Sequence, residues 1–194
     1  MRDTFSMLIF KGQPFEILDG DNFQFNKQFL QDIFLEQRLR IRVISILGPQ
    51  NSGKSTLLNF MFGCDFTVSD GRCTRGIYGS LVKSNNTELY DYLLILDTEG
   101  LQSIEKGDKE YDRKLILFCF AVSNILIINT KDQLTDDVKT TLEICVDSLS
   151  KIDVVRVQKP SVFFVMNQRA DPSRRTDLEA INRIIGLFVE SFFF

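Results

Sequence analysis

Histidine and tryptophan are both absent from this 194-residue chain. Without imidazole there is no histidine general base, no histidine-dependent triad and no zinc site built on that ring. Cysteine is scarce. Cys64, Cys73, Cys119 and Cys145 show no C-x-x-C spacing, two lie in apolar stretches, and all read as reduced, small hydrophobes of a cytosolic protein. An excess of either charge is also missing: the net value of −3 leaves no electrostatic footprint for nucleic acid. The basic stretches Arg38-Leu39-Arg40-Ile41-Arg42 and Arg174-Arg175 read as solvated flanks of a strand or helix. No continuous apolar core of a signal peptide opens the chain. The apolar run from Leu115 to Thr130 spans only 16 residues and is interrupted by Ser123-Asn124. It is too short to cross a bilayer and reads as a buried helix followed by a buried strand, so no transmembrane segment is expected.

Hydrophobic residues make up 44% and charged residues 25%, the balance of a soluble globular chain with room for one full core. From residue 41 onward, short β-branched runs alternate with longer helical ones. That is the pattern of an α/β fold, a mostly parallel sheet with helices on both faces. It predicts strands at 41–47, 77–83, 91–97, 124–129 and 161–167, and helices at 54–62, 110–122, 137–151 and 177–189. Asn85-Asn86 predicts a tight reversal that sets the second of these strands antiparallel to the rest. Residues 1–40 read as a flanking segment, a Gly/Pro/Asp-rich stretch and then a short helix near 26–37 with Phe29, Ile33 and Phe34 on one face. Residues 41–194 read as the domain. Its last helix runs into Ser191-Phe192-Phe193-Phe194 with no further strand, so a domain truncated at the C-terminus is expected.

The first apolar strand leads into Gly48-Pro49-Gln50-Asn51-Ser52-Gly53-Lys54-Ser55, followed by Thr56. This is the P-loop pattern G-x-x-x-x-G-K-S/T in its proper setting between a strand and a helix. Gly48 and Gly53 let the backbone fold tightly, so that successive N–H groups point into one concavity and bind phosphate oxygens. The following helix adds the positive end of its dipole. Lys54 is expected at the β- and γ-phosphates and the Ser55 hydroxyl on Mg²⁺. The pattern implies a bound nucleoside phosphate and the three-layer sandwich of a P-loop NTPase.

Asp97-Thr98-Glu99-Gly100 closes another apolar strand, 42 residues beyond Ser55. An acid at a strand's carboxyl end fits a second Mg²⁺-positioning group, and Gly100 can offer its N–H to a γ-phosphate. Between the two motifs lies Arg72-Cys73-Thr74-Arg75-Gly76. Thr74, flanked by basic residues and by a glycine that lets the loop flex, is the candidate third Mg²⁺ group, ahead of Thr67 and Thr87.

These blocks together, Gly48 to Gly63, Gly71 to Gly76 and Leu96 to Leu101, closely resemble the interferon-induced very large GTPases, among the dynamin-like and guanylate-binding large GTPases. Glu105 to Lys114 and Glu16 to Asp21 are similar to that family as well. The resemblance implies a GTP- and Mg²⁺-binding domain of a much larger cytosolic protein, with the nucleus as an alternative location, and a homodimer formed through the GTPase domain. It also implies a catalytic part for Gln50, since dynamin-like proteins use residues within this loop. Guanylate-binding relatives carry an arginine where this chain has Asn51, so Arg72 or Arg75, or an arginine from a partner, would have to substitute.

Guanine is commonly read by the acid of an N-K-x-D loop after a buried strand. Here that place holds Asn167-Gln168-Arg169-Ala170-Asp171, making Asp171 the first candidate and Asn167 the second. The position after D-x-x-G, a water-orienting glutamine in Ras-like enzymes, is Leu101. An arginine finger is worth about 10³–10⁵ in rate, so its lack predicts a slow GTPase in isolation. The alternatives are a scaffold that holds GTP without turning it over and, because the base loop is irregular, an ATPase.

Overall fold

The computed structural model of the chain describes residues 7–25, 27, 31, 39–68, 76–85, 88–101, 109–131, 136, 140, 143 and 160–167. Its strands are β1 (Phe15–Asp19), β2 (Gln24–Phe25), β3 (Ile41–Leu47), β4 (Ile77–Lys83), β5 (Tyr92–Thr98), β6 (Ile125–Thr130) and β7 (Ser161–Met166). They form one sheet in the order β2-β1-β4-β5-β3-β6-β7. Helices α1 (Lys54–Phe62) and α2 (Lys109–Val122) accompany them among the described residues.

Period-two alternation decides which side chains meet which helix. Leu47, Leu81, Leu96, Leu126 and Ile128 cluster with Leu115, Ile116, Cys119 and Phe120 of α2. The residues between them, Ile44, Ile46, Ile95 and Ile127, cluster with Leu58 of α1 and with Cys64 and Phe66 beyond it. The helices therefore cover opposite faces. On α2 the buried positions recur at helical spacing and form one apolar stripe. Cys119 sits inside that stripe, where burial pushes its thiol up to about 12. Cys64 and Cys119 are buried, unbridged and hydrophobic in role, while Cys73 and Cys145 lie outside the described residues.

β3, β5, β6 and β7 run parallel to their neighbours within that group. β4 runs antiparallel to β5 over the full register Ile77↔Thr98 to Lys83↔Tyr92, as the Asn85-Asn86 reversal predicts. The sheet is nevertheless mixed rather than mostly parallel, because the sequence predicts no strand before residue 41 and two are present. β1 pairs antiparallel with β4, through Phe15↔Gly79 and Leu18↔Ile77, and β2 pairs antiparallel with β1. Phe15, Ile17 and Leu18 are all buried in the α2-side cluster. The helices expected at 137–151, 177–189 and near 26–37 fall wholly or largely outside the described residues.

If β1 is part of the core, Leu18→Ala should cost about 2–5 kcal/mol in urea unfolding, as for other fully buried leucines. A loss of less than about 1 kcal/mol would show that the strand only lies against the domain.

Candidate functional site

The same alternation that sorts the core continues past the carboxyl ends of four parallel strands. Gly48 follows Ile44 and Ile46 on the α1 side, Asp97 follows Ile95, Asn129 follows Ile127, and Asn167 follows Val165. Loops at the carboxyl end of a parallel sheet are where α/β folds bind ligands. The sequence thus delivers a glycine, a carboxylate and two carboxamides to one end of the sheet, around the start of α1.

Gly48 to Gly53 turn between β3 and α1 with left-handed backbone at Asn51 (φ 58°) and Gly53 (φ 77°). Asparagine is one of the few side chains that accept that conformation. Gly48 is required for another reason: a Cβ there would collide with the carbonyl of Asn129. α1 begins at Gly53 without a side-chain cap and without an acid in its first turn, which leaves the positive end of its dipole for an anion.

The loop's carbonyls are engaged by the protein. The Lys54 ammonium donates to the carbonyls of Gly48 (3.3 Å) and Pro49 (3.0 Å), and the Leu101 amide donates to Gly48 (3.0 Å). The Asn129 and Asn167 carboxamides both donate to the Ser52 carbonyl, at 2.8 and 3.1 Å. The Gly53 carbonyl accepts from Leu57 N (2.9 Å) and Asn167 Nδ2 (3.4 Å). In a trans peptide the carbonyl of one residue and the N–H of the next point opposite ways. Holding the Ser52 and Gly53 carbonyls toward the sheet and helix therefore aims the N–H groups of Gly53 and Lys54 away from them.

Ser55 Oγ donates to Asp97 Oδ2 at 2.7 Å, joining the start of α1 to the end of β5. Asp97 is buried, and the next residue locks the strand end in place, Thr98 Oγ1 donating to Ile46 O at 2.6 Å. Gly100 lies directly against the backbone of Gln50, and Leu101 bridges to Pro49. Of the residues singled out in the sequence, Gly48, Pro49, Gln50, Asn51, Ser52, Gly53, Lys54, Ser55, Thr56, Asp97, Gly100 and Asn167 meet here. Thr74, Arg75 and Asp171 lie outside the described residues, as does Arg72.

Two features were not anticipated. Asn129 closes the apolar run of β6 and is fully buried, yet its amide serves the loop. A carboxamide where alternation calls for an aliphatic residue is the signal that marks it. Glu99 is the other: it reads as a spacer within D-x-x-G, but its buried carboxylate accepts from Gly76 N (3.1 Å) and from the Tyr111 hydroxyl of α2 (2.7 Å). Glu99 N also donates to Gly76 O at 2.8 Å. Gly76, expected as a point of flexure, is instead wedged at φ 79°, where a Cβ would strike the Leu18 carbonyl.

A strand, a glycine-bearing loop, a helix whose first hydroxyl meets a carboxylate from the adjoining parallel strand, and a mixed sheet around them make an α/β domain with its site at the carboxyl end of the sheet. Residues 2–184 match the URGCP-like GTPase domain, and the chain belongs to that family. Mouse (Mus musculus) interferon-induced very large GTPase 1 is 37% identical over 169 residues, 81% of this chain. The human (Homo sapiens) protein of that name is 36% identical over 181 residues, 88% of this chain. The chain spans only 7% of the length of either. A SEY1 homolog from Dictyostelium discoideum is 40% identical over 126 residues, covering 59% of this chain and 14% of its own length. Among the described residues no helix is long and apolar enough to cross a membrane.

Tyr111 gives the Glu99 contact a pH signature. Burial foremost, then the Glu99 carboxylate, with Asp112 adding to both, hold the phenol well above its usual value near 10. The folded state keeps it neutral while the unfolded chain ionises it. Its contribution is therefore complete below pH 10 and declines as pH rises beyond that. Between pH 9 and 11 the wild type should lose up to about 1.4 kcal/mol more than Tyr111→Phe, reduced by solvent screening of a half-buried ring. Parallel decline of the two proteins would show that the contact does not form in solution.

Proposed function

We propose that the chain binds Mg²⁺·GTP in the cradle of residues 48–56 and hydrolyses it to GDP and phosphate, slowly when alone, as a self-associating cytosolic switch domain. In this reading the GTPase unit takes the sandwich architecture of P-loop NTPases, with β1 and β2 joining residues 41–194 in its sheet. One observation carries the reading: the hydroxyl that opens α1 and the carboxylate that ends β5 meet at 2.7 Å, beside a lysine folded over the loop. A hydroxyl and a carboxylate are hard oxygen donors of the kind Mg²⁺ takes, and the pair fits that ion.

Ser55 and Asp97 would hold the metal, with Thr74 as a third candidate ligand, and the ion would supply charge that neutralises the phosphates. Lys54 meets the same phosphates and Gly100 offers its N–H to the γ-phosphate. Water attacks the γ-phosphorus, the bond to the β–γ bridging oxygen breaks, and Lys54 stabilises the charge left on that oxygen. Gln50 and Arg75 act on the transferring group, and Asp171 reads the base. Asn167 serves the loop in this scheme, which its bonds to Ser52 and Gly53 support.

A second reading, GTP held without turnover, is favoured by Leu101. Its side chain is buried and has no group that can orient a water. Single-turnover measurement separates the two, since a scaffold releases intact GTP.

Lys54→Ala should abolish uptake of labelled GTP. Ser55→Asn should weaken Mg²⁺-dependent binding of GTP more than of GDP, and equal losses would remove Ser55 from the metal. Turnover per molecule should rise with protein concentration if dimerisation completes the site. A flat rate across a wide dilution series would rule out self-activation.

A further inference from the structure

We infer that Asn129 is a positioning residue for phosphate binding, the side chain that sets the peptide plane between Ser52 and Gly53. The inference rests on the GTP reading above and extends it to a residue outside the loop. Asn129 touches the loop at two points. Its carboxamide nitrogen donates to Ser52 O (2.8 Å) and Ser52 Oγ (3.0 Å), and its own carbonyl lies where a Cβ on Gly48 would have to go. It thereby ties the loop's first residue and its fifth to the end of one strand.

The side chain is fully buried, and its Oδ1 has no hydrogen-bond partner among the described residues. Packing alone would favour an aliphatic residue here, as at Ile125 and Ile127 on the same face, because a dry amide oxygen is costly. What the carboxamide adds is direction. Turning the Ser52 carbonyl toward β6 turns the Gly53 N–H the opposite way, and amides at this point of such loops cradle the α- and β-phosphates. Those phosphates are common to GTP and GDP. Loss of Asn129 should therefore weaken both nucleotides alike, unlike loss of a metal ligand.

The test measures the affinity of the full chain for fluorescent GTP and GDP, in the wild type, Asn129→Ala, Asn129→Asp and Ser45→Ala. Asn129→Asp keeps the shape, removes the donor and sets an anionic oxygen against the Ser52 carbonyl. Ser45→Ala is the stability control. It removes a buried hydroxyl that meets Ser123 Oγ on the α2 side of the sheet, away from the loop. Both Asn129 variants should bind GTP and GDP about tenfold or more weakly with their ratio unchanged, while Ser45→Ala binds like the wild type. Wild-type affinity in either folded Asn129 variant, a loss confined to GTP, or an equal loss in Ser45→Ala would overturn the inference. Should neither Asn129 variant fold, hydrogen exchange of the assigned Asn129 side-chain amide in the wild type decides. Protection with and without GDP supports the anchor, and protection lost on GDP binding refutes it. A wild-type chain that takes up neither nucleotide would sink the GTP reading, and this inference with it.

Discussion

A backbone that shows its amides to a ligand has to settle its carbonyls somewhere else, and the whole site follows from how this chain settles them. Each peptide carries one donor and one acceptor, and buried ones are paired. Here the acceptors of Gly48, Pro49, Ser52 and Gly53 are taken by Lys54, by Leu101, by two asparagines and by the first turn of α1. None of these donors lies within the six residues from Gly48 to Gly53. They come from the ends of β6 and β7, from the segment after β5 and from α1, so the loop holds its form only when the sheet is assembled around it.

The segment after β5 ties this cradle to the far side of the sheet. Leu101 bonds the loop, while two residues earlier Glu99 gathers the amide of Gly76 and the hydroxyl of Tyr111. Gly76 in turn packs on the end of β1. The start of β4 and the second helix thus meet on one buried carboxylate, and β1 is joined to it through Gly76. Bonds to a charged acceptor are roughly twice as strong as neutral ones. A displacement of Gly100 or Leu101 by a ligand in the cradle would therefore be felt at Gly76, two residues beyond Thr74.

Much of this could be read from the residues in order. Strand and helix limits for β3 to β7, α1 and α2 follow from periodicity to within one residue, because each is a strongly patterned run bounded by turn residues. The loop and its Ser55–Asp97 partner follow from spacing. β1 could not be read in that way: Phe15–Asp19 sits among Gly12, Pro14 and Gly20, and its partner strand begins at Ile77. Only the folded register shows that its buried face completes the α2-side core. Asn129 and Glu99 escaped for a related reason. Their partners are 77 and 23 residues away, and each occupies a position that local pattern assigns to something bland.

Register is the deeper link between core and site. A one-residue slip of β6 would turn Ile125 and Ile127 toward α2 and Leu126 and Ile128 toward α1. It would also carry Asn129 to the wrong face and leave the Ser52 carbonyl to Asn167 alone. The pairings Ile46↔Ile127 and Leu47↔Ile128 prevent this by burying each side chain in its own cluster. The apolar residues that hold β6 beside β3 therefore also set the place of Asn129, so that substitutions deep in the core of β6 would reach the loop through Asn129 rather than through stability alone.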